Sequence, residues 1–353
     1  MDVWKWGLLG LSLALILLSG LPPQPAYAPW GIGCGWTPAI TGERAIAFLE
    51  PVELGGMDQW ILVRGTDREN PVLLWLHGGP GSAEMPMARR STRGLEEHFV
   101  VVHWDQRGAG KSNPADFDEA TMTFEQYIRD AHELTGLLKE RFTQDSIYII
   151  GSSWGTQLGI RLAERWPDDY TGYIAVGQVV DHLRAEQMGY DWLVERAAAN
   201  GQDAARKVVD LGLPPYLEHD RYVRFAQLIQ AYGGGMDLGM GQLFPIALAA
   251  PEYCLADYAR WLRGSNRGSG PMWNETHPEN LFSEILRLDV PVLFVSGEND
   301  MNTPVPLVRE YYEQLDAPQG KDLVVFEDAA HTPYLSHPDA FRDVIVEFLL
   351  SRP

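Results

Sequence analysis

The sequence predicts an α/β fold, a mostly parallel central sheet with helices on both faces and one inserted helical cap domain. Three observations carry this expectation. Short apolar runs of strand length alternate with longer segments of helical period along most of the chain. The segment Phe124 to Phe142 sets Phe124, Ile128, Leu134, Leu138 and Phe142 on one stripe, as an amphipathic helix against a sheet requires. The alternation stops after Val180 and resumes at Asp289-Val290-Pro291, so one domain is interrupted, not followed by another.

In chain order, strands are expected at Ala45 to Leu49, Gln59 to Arg64, Val72 to Leu76, Val100 to Trp104, Ile147 to Ile150, Tyr173 to Val176, Val292 to Ser296 and Leu323 to Phe326. Thr123-x-x-Gln126 can form a capping box for the helix from Phe124, and a last helix runs from Pro338 to about Leu350. Between them, glycine clusters (Gly233-Gly234-Gly235 and Gly264 to Gly270) and helical spacing without a convincing strand mark the insertion. The chain thus divides into residues 1–28, a signal peptide or membrane anchor; 29–180 and 287–353, the two parts of the core; and 181–286, the cap.

The N-terminal assignment rests on an uncharged run from Trp6 to Leu21, followed by Ala26-Tyr27-Ala28 with the A-x-A form of a signal-peptidase site. Asp2 offsets Lys5 and Pro29 would follow the scissile bond, so a retained single-span anchor stands beside a cleaved signal; either places the protein outside the cytoplasm. Hydrophobic residues make up 45% and charged residues 22% of the 353, which is globular, not disordered. The net charge of −20 repels phosphate backbones, so nucleic acid is excluded as a partner, and oligomeric state is left open. Two cysteines, Cys34 and Cys254, form one bridge or remain buried thiols; free thiols are the favoured reading, with an oxidising compartment moving the balance toward pairing. No HExxH or CxxC occurs, and neither a metal nor a cofactor is implied.

The chemistry is carried by loops that follow strands. IYIIGSSWGTQLGIRLAERW places Gly151-Ser152-Ser153-Trp154-Gly155 between a strand and a helix, which forces Ser153 into a tight turn with its hydroxyl exposed at the carboxyl edge of the sheet. Serine is a poor nucleophile until a base takes its proton, so a histidine and an orienting carboxylate are required. Asp300 follows the strand in VPVLFVSGENDMNTP, and His331 follows the strand in KDLVVFEDAAHTPYLSHP, with Glu298 and Asp328 as rival carboxylates. The order Ser, Asp, His is that of the α/β-hydrolase fold. VLLWLHGGPGS is another strand running into a glycine turn, where the Gly79 amide, or alternatively that of Gly78, can join the Trp154 amide in an oxyanion hole, each donor worth about 3 kcal/mol in the transition state. His77 reads as structural, since the triad already has its base.

The stretch GAGKS at 108 to 112 looks like a phosphate loop but lacks the first glycine of GxxxxGK[ST], a place held by Asp105. Asp105 and Arg107 are instead expected to fix a turn by hydrogen bonds. Together, HGGPG at 77 to 81, DQRGAGKS at 105 to 112, GSSWGT at 151 to 156, GENDMNTP at 297 to 304 and the His331 loop resemble the proline iminopeptidase family of α/β-hydrolases, serine peptidases with esterase-like relatives. The resemblance covers the core on both sides of the insertion and implies a Ser153, His331 and Asp300 triad acting on a small molecule or short peptide with an N-terminal proline. A W-x-x-W-E cap signature of that family is absent. Glu186 and Glu252 are the cap carboxylates expected to hold a substrate amine. A carboxylesterase or related acyl hydrolase on the same triad is the alternative, and a catalytically silent binding protein the remote one.

Overall fold

The computed structural model describes residues 34–350 of the chain, and the segment 1–28 lies outside them. All eight expected strands are present: β1 (Ile46–Leu54), β2 (Met57–Gly65), β3 (Val72–Leu76), β4 (Val100–Asp105), β5 (Ile147–Ser152), β6 (Tyr170–Val176), β7 (Val292–Gly297) and β8 (Lys321–Phe326). They form one sheet in the order β1-β2-β4-β3-β5-β6-β7-β8. Strand β2 pairs antiparallel with both β1 and β4, and every other pairing is parallel.

Several strands run past their expected limits, β1 most of all. Its continuation includes Pro51, paired with Trp60, which an edge strand tolerates because the missing N–H need not serve a second neighbour. The β1–β2 hairpin closes through Gly55 and Gly56 with φ of 53° and 77°, the positive angles of a turn whose twist matches its strands.

Side chains alternate across the sheet into two cores. Val72, Leu74 and Leu76 of β3 join one cluster with helices α1 (Phe124–Phe142), α2 (Trp154–Arg165) and a later helix at Val305–Gln314. Leu73 and Trp75 join the other, with Phe341, Ile345 and Phe348 of the C-terminal helix Pro338–Leu350. Each such side chain, fully buried, contributes about 2 kcal/mol. Helix α1 has the expected limits, but only half of its capping box forms. Thr123 Oγ1 accepts from the Gln126 amide at 3.2 Å, whereas Gln126 Nε2 turns to Asp130 at 2.7 Å.

Between β6 and β7 the chain is helical: α3 (His182–Ala199), α4 (Gln202–Leu211), α5 (His219–Ala231), α6 (Met240–Leu248) and α7 (Leu255–Arg267), followed by short helical turns. An isolated bridge between Asp181 and Asn280 joins the two ends of this insertion at its base. The helices at Val305–Gln314 and Pro338–Leu350 complete the fold as α8 and α9. Among the described residues no helix is long and apolar enough to cross a membrane.

Cys34 and Cys254 are paired, with Cα atoms 5.1 Å apart, which corrects the free-thiol reading. The pairing depends on tertiary packing that spacing could not reveal. The Gly35 amide donates to Pro251 O at 2.7 Å and Thr37 Oγ1 to Glu252 at 2.9 Å, laying the first described residues along the insertion, and the bridge spans 220 residues in sequence.

Candidate active site

Ser153 stands between the end of β5 and the first residue of α2, at φ 51° and ψ −118°. A non-glycine residue in such a conformation costs on the order of 1–3 kcal/mol and persists only where its surroundings enforce it. Here they do. A Cβ on Gly151 would lie 2.5 Å from Gly155 O, and one on Gly155 would lie 2.0 Å from Leu76 O, so the two glycines let strand, turn and helix approach this closely. The Ser153 amide donates to Val176 O at 2.9 Å, and its carbonyl accepts from the Thr156 hydroxyl at 2.6 Å.

Beyond β7 the chain turns at Asp300, which is fully buried. Its Oδ1 accepts from the amides of Asn302 (2.8 Å) and Thr303 (3.0 Å), and its Oδ2 accepts from Thr303 Oγ1 (2.6 Å). His331 Nδ1 donates to that same Oδ2 at 2.7 Å. The rivals Glu298 and Asp328 are exposed. Burial opposes protonation of His331, but the charge and hydrogen bond of Asp300, then Asp237 and Glu84, outweigh it and hold the imidazole above its ordinary range.

The glycine turn after β3 brings Gly79 to the same cleft as Ser153 and Trp154. As the first residue of α2, Trp154 has an amide that the helix itself does not use. The Gly78 amide, in contrast, donates to Glu84 Oε1 at 3.3 Å. His77 is structural: Nδ1 donates to Gly78 O at 2.7 Å, Nε2 accepts from the Gln106 amide at 3.1 Å, and burial lowers its pKa to about 4. Gln106 ties this turn to the elbow, donating to His77 O at 2.9 Å and accepting from Trp154 Nε1 at 3.1 Å.

The rest of DQRGAGKS is braced by its own charges. Asp105 Oδ2 accepts from the Lys111 amide at 2.8 Å and from the Tyr253 hydroxyl at 2.5 Å. Arg107 forms two bonds to Asp130, at 2.9 and 3.0 Å. Lys111 is buried against Asp257 at 2.7 Å and lies over the Trp60 ring, so its ammonium is already partnered.

A cleft opens onto Ser153, lined also by Gly79, Gln157, His182, Tyr222, Trp273 and Thr303. Larger space along β8, α8 and α9 contains none of the candidate residues. The two expected amine anchors do not line the cleft. Glu186 is buried one layer behind Tyr222 and Trp273, its oxygens accepting from the Tyr216 amide and facing His277 Nε2, both at 2.8 Å. Glu252 accepts from Thr37 and pairs with Arg89 at 3.3 Å, outside the cleft beside the disulfide. Sequence reasoning missed Glu84, Gln106 and Asp237, the last in the stretch GGGMDLG, where glycine alone drew attention. Gln106 lies inside the quoted DQRG motif and was within reach; nothing local marks Glu84 or Asp237. Among the described residues, no group of three or more histidine, cysteine or acidic side chains is arranged to hold a metal ion.

Comparison with known proteins agrees with this architecture. Residues 71–338 match the family described as alpha/beta hydrolase fold. The chain is 29% identical over 311 residues to a Bacillus subtilis protein named "Probable aminopeptidase YbaC", covering 87% of this chain and 97% of that one. It is 23% identical to the proline iminopeptidase of Thermoplasma volcanium, covering 84% and 95% of the two chains. Among solved structures, the proline iminopeptidase of Mycobacterium smegmatis superposes with a TM-score of 0.62 at 21% identity, covering 86% and 98%. The esterase RhEst1 from Rhodococcus superposes at 0.58 and 16%, covering 88% and 100%. At such identities the structural likeness speaks for the fold, which peptidases and esterases share. With a family match spanning most of the described residues and peptidase-named relatives aligned along nearly their full lengths, the chain belongs to the α/β-hydrolase fold family and is proline iminopeptidase-like in sequence.

Proposed function

We propose that the protein is a serine hydrolase, most closely an aminopeptidase of the proline iminopeptidase kind, in which Ser153, His331 and Asp300 act as a triad. The observation that carries this reading is the buried Asp300–His331 pair at 2.7 Å, placed at the carboxyl edge of the sheet that also presents Ser153 on its left-handed turn. Ser153 Oγ attacks the substrate carbonyl while His331 Nε2 takes its proton. Asp300 holds the ring in the Nδ1–H tautomer, and the amides of Trp154 and Gly79 receive the oxyanion. His331 then returns the proton to the leaving group, and water repeats the sequence to free the acid. The insertion acts as the cap, closing the cleft with His182, Tyr222 and Trp273 and so limiting the substrate to a small molecule or short peptide.

One observation favours a second reading. Among the described residues that line the cleft, no side chain is acidic, whereas an aminopeptidase that buries an ammonium needs a carboxylate against it. A carboxylesterase or acyl amidase on the same triad has no such need. The Cys34–Cys254 bridge supports an extracytoplasmic location, in keeping with an export signal or anchor in the first 28 residues.

The test is a substrate panel of Pro-, Ala- and Leu-arylamides, their N-acetylated forms and short acyl nitrophenyl esters, beside labelling with a fluorophosphonate. Labelling of the wild type but not of Ser153→Ala is expected, with free-amine arylamides preferred over N-acetylated ones. Equal turnover of free and acetylated amides would leave the acyl-hydrolase reading standing, and no labelling would overturn both.

A further inference from the structure

The loop between α5 and α6 belongs to the insertion, yet it grips the core at the two turns that carry Asp300 and His331. Three consecutive amides of the histidine loop end on it. Ala330 N donates to Asp237 Oδ1 at 2.7 Å, His331 N to Gly235 O at 3.0 Å, and Thr332 N to Asp237 Oδ2 at 2.6 Å. The Thr332 hydroxyl adds a bond to Asp237 Oδ2 at 3.1 Å and accepts from the Asp237 amide at 3.0 Å. At the neighbouring turn, Met301 N donates to Gly234 O at 2.8 Å, directly after Asp300. The loop is itself shaped by Gln230 of α5, whose side chain accepts from Met236 N at 2.7 Å and donates to Met236 O at 3.2 Å.

A carboxylate that accepts from the residues before and after a histidine fixes the backbone from which the ring projects. It does so without touching the ring's own hydrogen bonds, since Nδ1 is taken by Asp300. We propose that Asp237 is a positioning residue for His331, through which the insertion, and not the sheet alone, sets the base in line with Ser153. This rests on the triad reading above. Asp237 acts in two ways: two charge-assisted bonds to backbone amides hold the loop, and its negative charge joins that of Asp300 in favouring the protonated imidazole. A displacement of about 1 Å in a catalytic group can cost up to a hundredfold in rate.

The experiment measures fluorophosphonate labelling of the full chain as a function of pH, which needs no knowledge of the natural substrate. In that reaction the Ser153 Oγ–P bond forms, the P–F bond breaks, fluoride leaves and the hydroxyl proton passes to His331, so the rate reads the base directly. Asp237→Ala is expected to slow labelling by about tenfold or more and to move its acid limb to lower pH, with an unchanged circular-dichroism spectrum. Asp237→Asn keeps one amide acceptor but loses the charge. Its rate loss should be smaller while its acid limb moves as far as that of the alanine variant, a split that general destabilisation would not produce. Should Asp237→Ala fail to fold, Asp237→Asn alone decides. A folded variant that labels like the wild type with the same acid limb overturns the proposal. If His331→Ala labels like the wild type, the triad reading falls first; if His331→Ala is silent while the Asp237 variants are normal, only the positioning role is lost.

Discussion

Replacing Glu84 with glutamine is expected to remove a fall in stability that the wild-type protein undergoes as pH rises. Burial pushes the Glu84 carboxyl from 4.5 up to about 7, against hydrogen bonds from the Gly78 amide, the Tyr334 hydroxyl and the Trp75 indole and against the charge of His331. A carboxyl whose folded pKa lies above its unfolded one holds its proton more tightly when folded. Its contribution is therefore fully present below pH 4.5 and is lost as pH rises through about 7. At about 1.4 kcal/mol per pH unit, the gap from 4.5 to about 7 amounts to roughly 3 kcal/mol. In Glu84→Gln the amide oxygen can still accept from Gly78 and Tyr334, but its NH2 faces the Trp75 N–H at a place where a carboxylate oxygen accepts at 3.0 Å. That mismatch costs about 1–3 kcal/mol at every pH, so the slope is the test and the absolute level is not. Burial also raises Asp105 and Glu279 to about 7, and their contributions, common to both proteins, cancel in the difference. Urea unfolding from pH 5 to pH 8 is the assay. Wild type minus variant should fall by about 2–3 kcal/mol across that range. Parallel curves would refute the argument.

The remaining expectations concern the triad and the disulfide. Ser153→Ala, His331→Ala and Asp300→Asn should each lose on the order of a thousandfold or more in turnover, without adding, if the three act as the one unit proposed above. Near wild-type turnover in Asp300→Asn with a dead Glu298→Gln would assign the acid wrongly. Turnover should rise with pH as His331 loses its proton, with a midpoint above its ordinary 6.5; a midpoint below that value contradicts the charge arrangement described. Cys254→Ser should lower stability by roughly 5 kcal/mol in protein recovered from an oxidising compartment, since the bridge closes a separation of 220 residues, and peptide mapping that finds free thiols there would contradict it.

How far the sequence reached depends on the range of the interactions involved. Strand positions and the helix at Phe124–Phe142 were legible because local apolar periodicity decides them. The turn of Ser153 was legible because GSSWG between strand and helix admits few conformations. Strand ends were misjudged where pairing overrode composition, as at Pro51 opposite Trp60. The site's outer residues were hidden for a stronger reason. Glu84 acts through Tyr334, 250 residues on, and Asp237 through a loop 93 to 95 residues away. Glu252 is expected from the sequence to hold a substrate amine, yet Thr37 and Arg89 claim it, and only the path of the first described residues places Thr37 there.

The distribution of charge bears on what the cleft can accept. Asp300, Asp237 and Glu84 approach His331 from the turn after β7, the insertion and the turn after β3, and all three favour its imidazolium. The cleft itself offers neutral partners: Gln157, Asn302, Thr276, and a His182 whose pKa burial and the neighbouring His277 lower to about 3. Glu186 lies close behind, but its oxygens already hold Tyr216 and His277. A substrate ammonium would therefore find no carboxylate of its own and would share the field that now raises His331. Its positive charge would oppose protonation of the imidazole, so binding would favour the neutral base that Ser153 needs. A neutral acyl substrate would leave the histidine as it stands in the free protein. By this reasoning a bound free amine would favour the neutral His331 that takes the Ser153 proton in the proposed triad, at the cost of burying an ammonium without a carboxylate of its own.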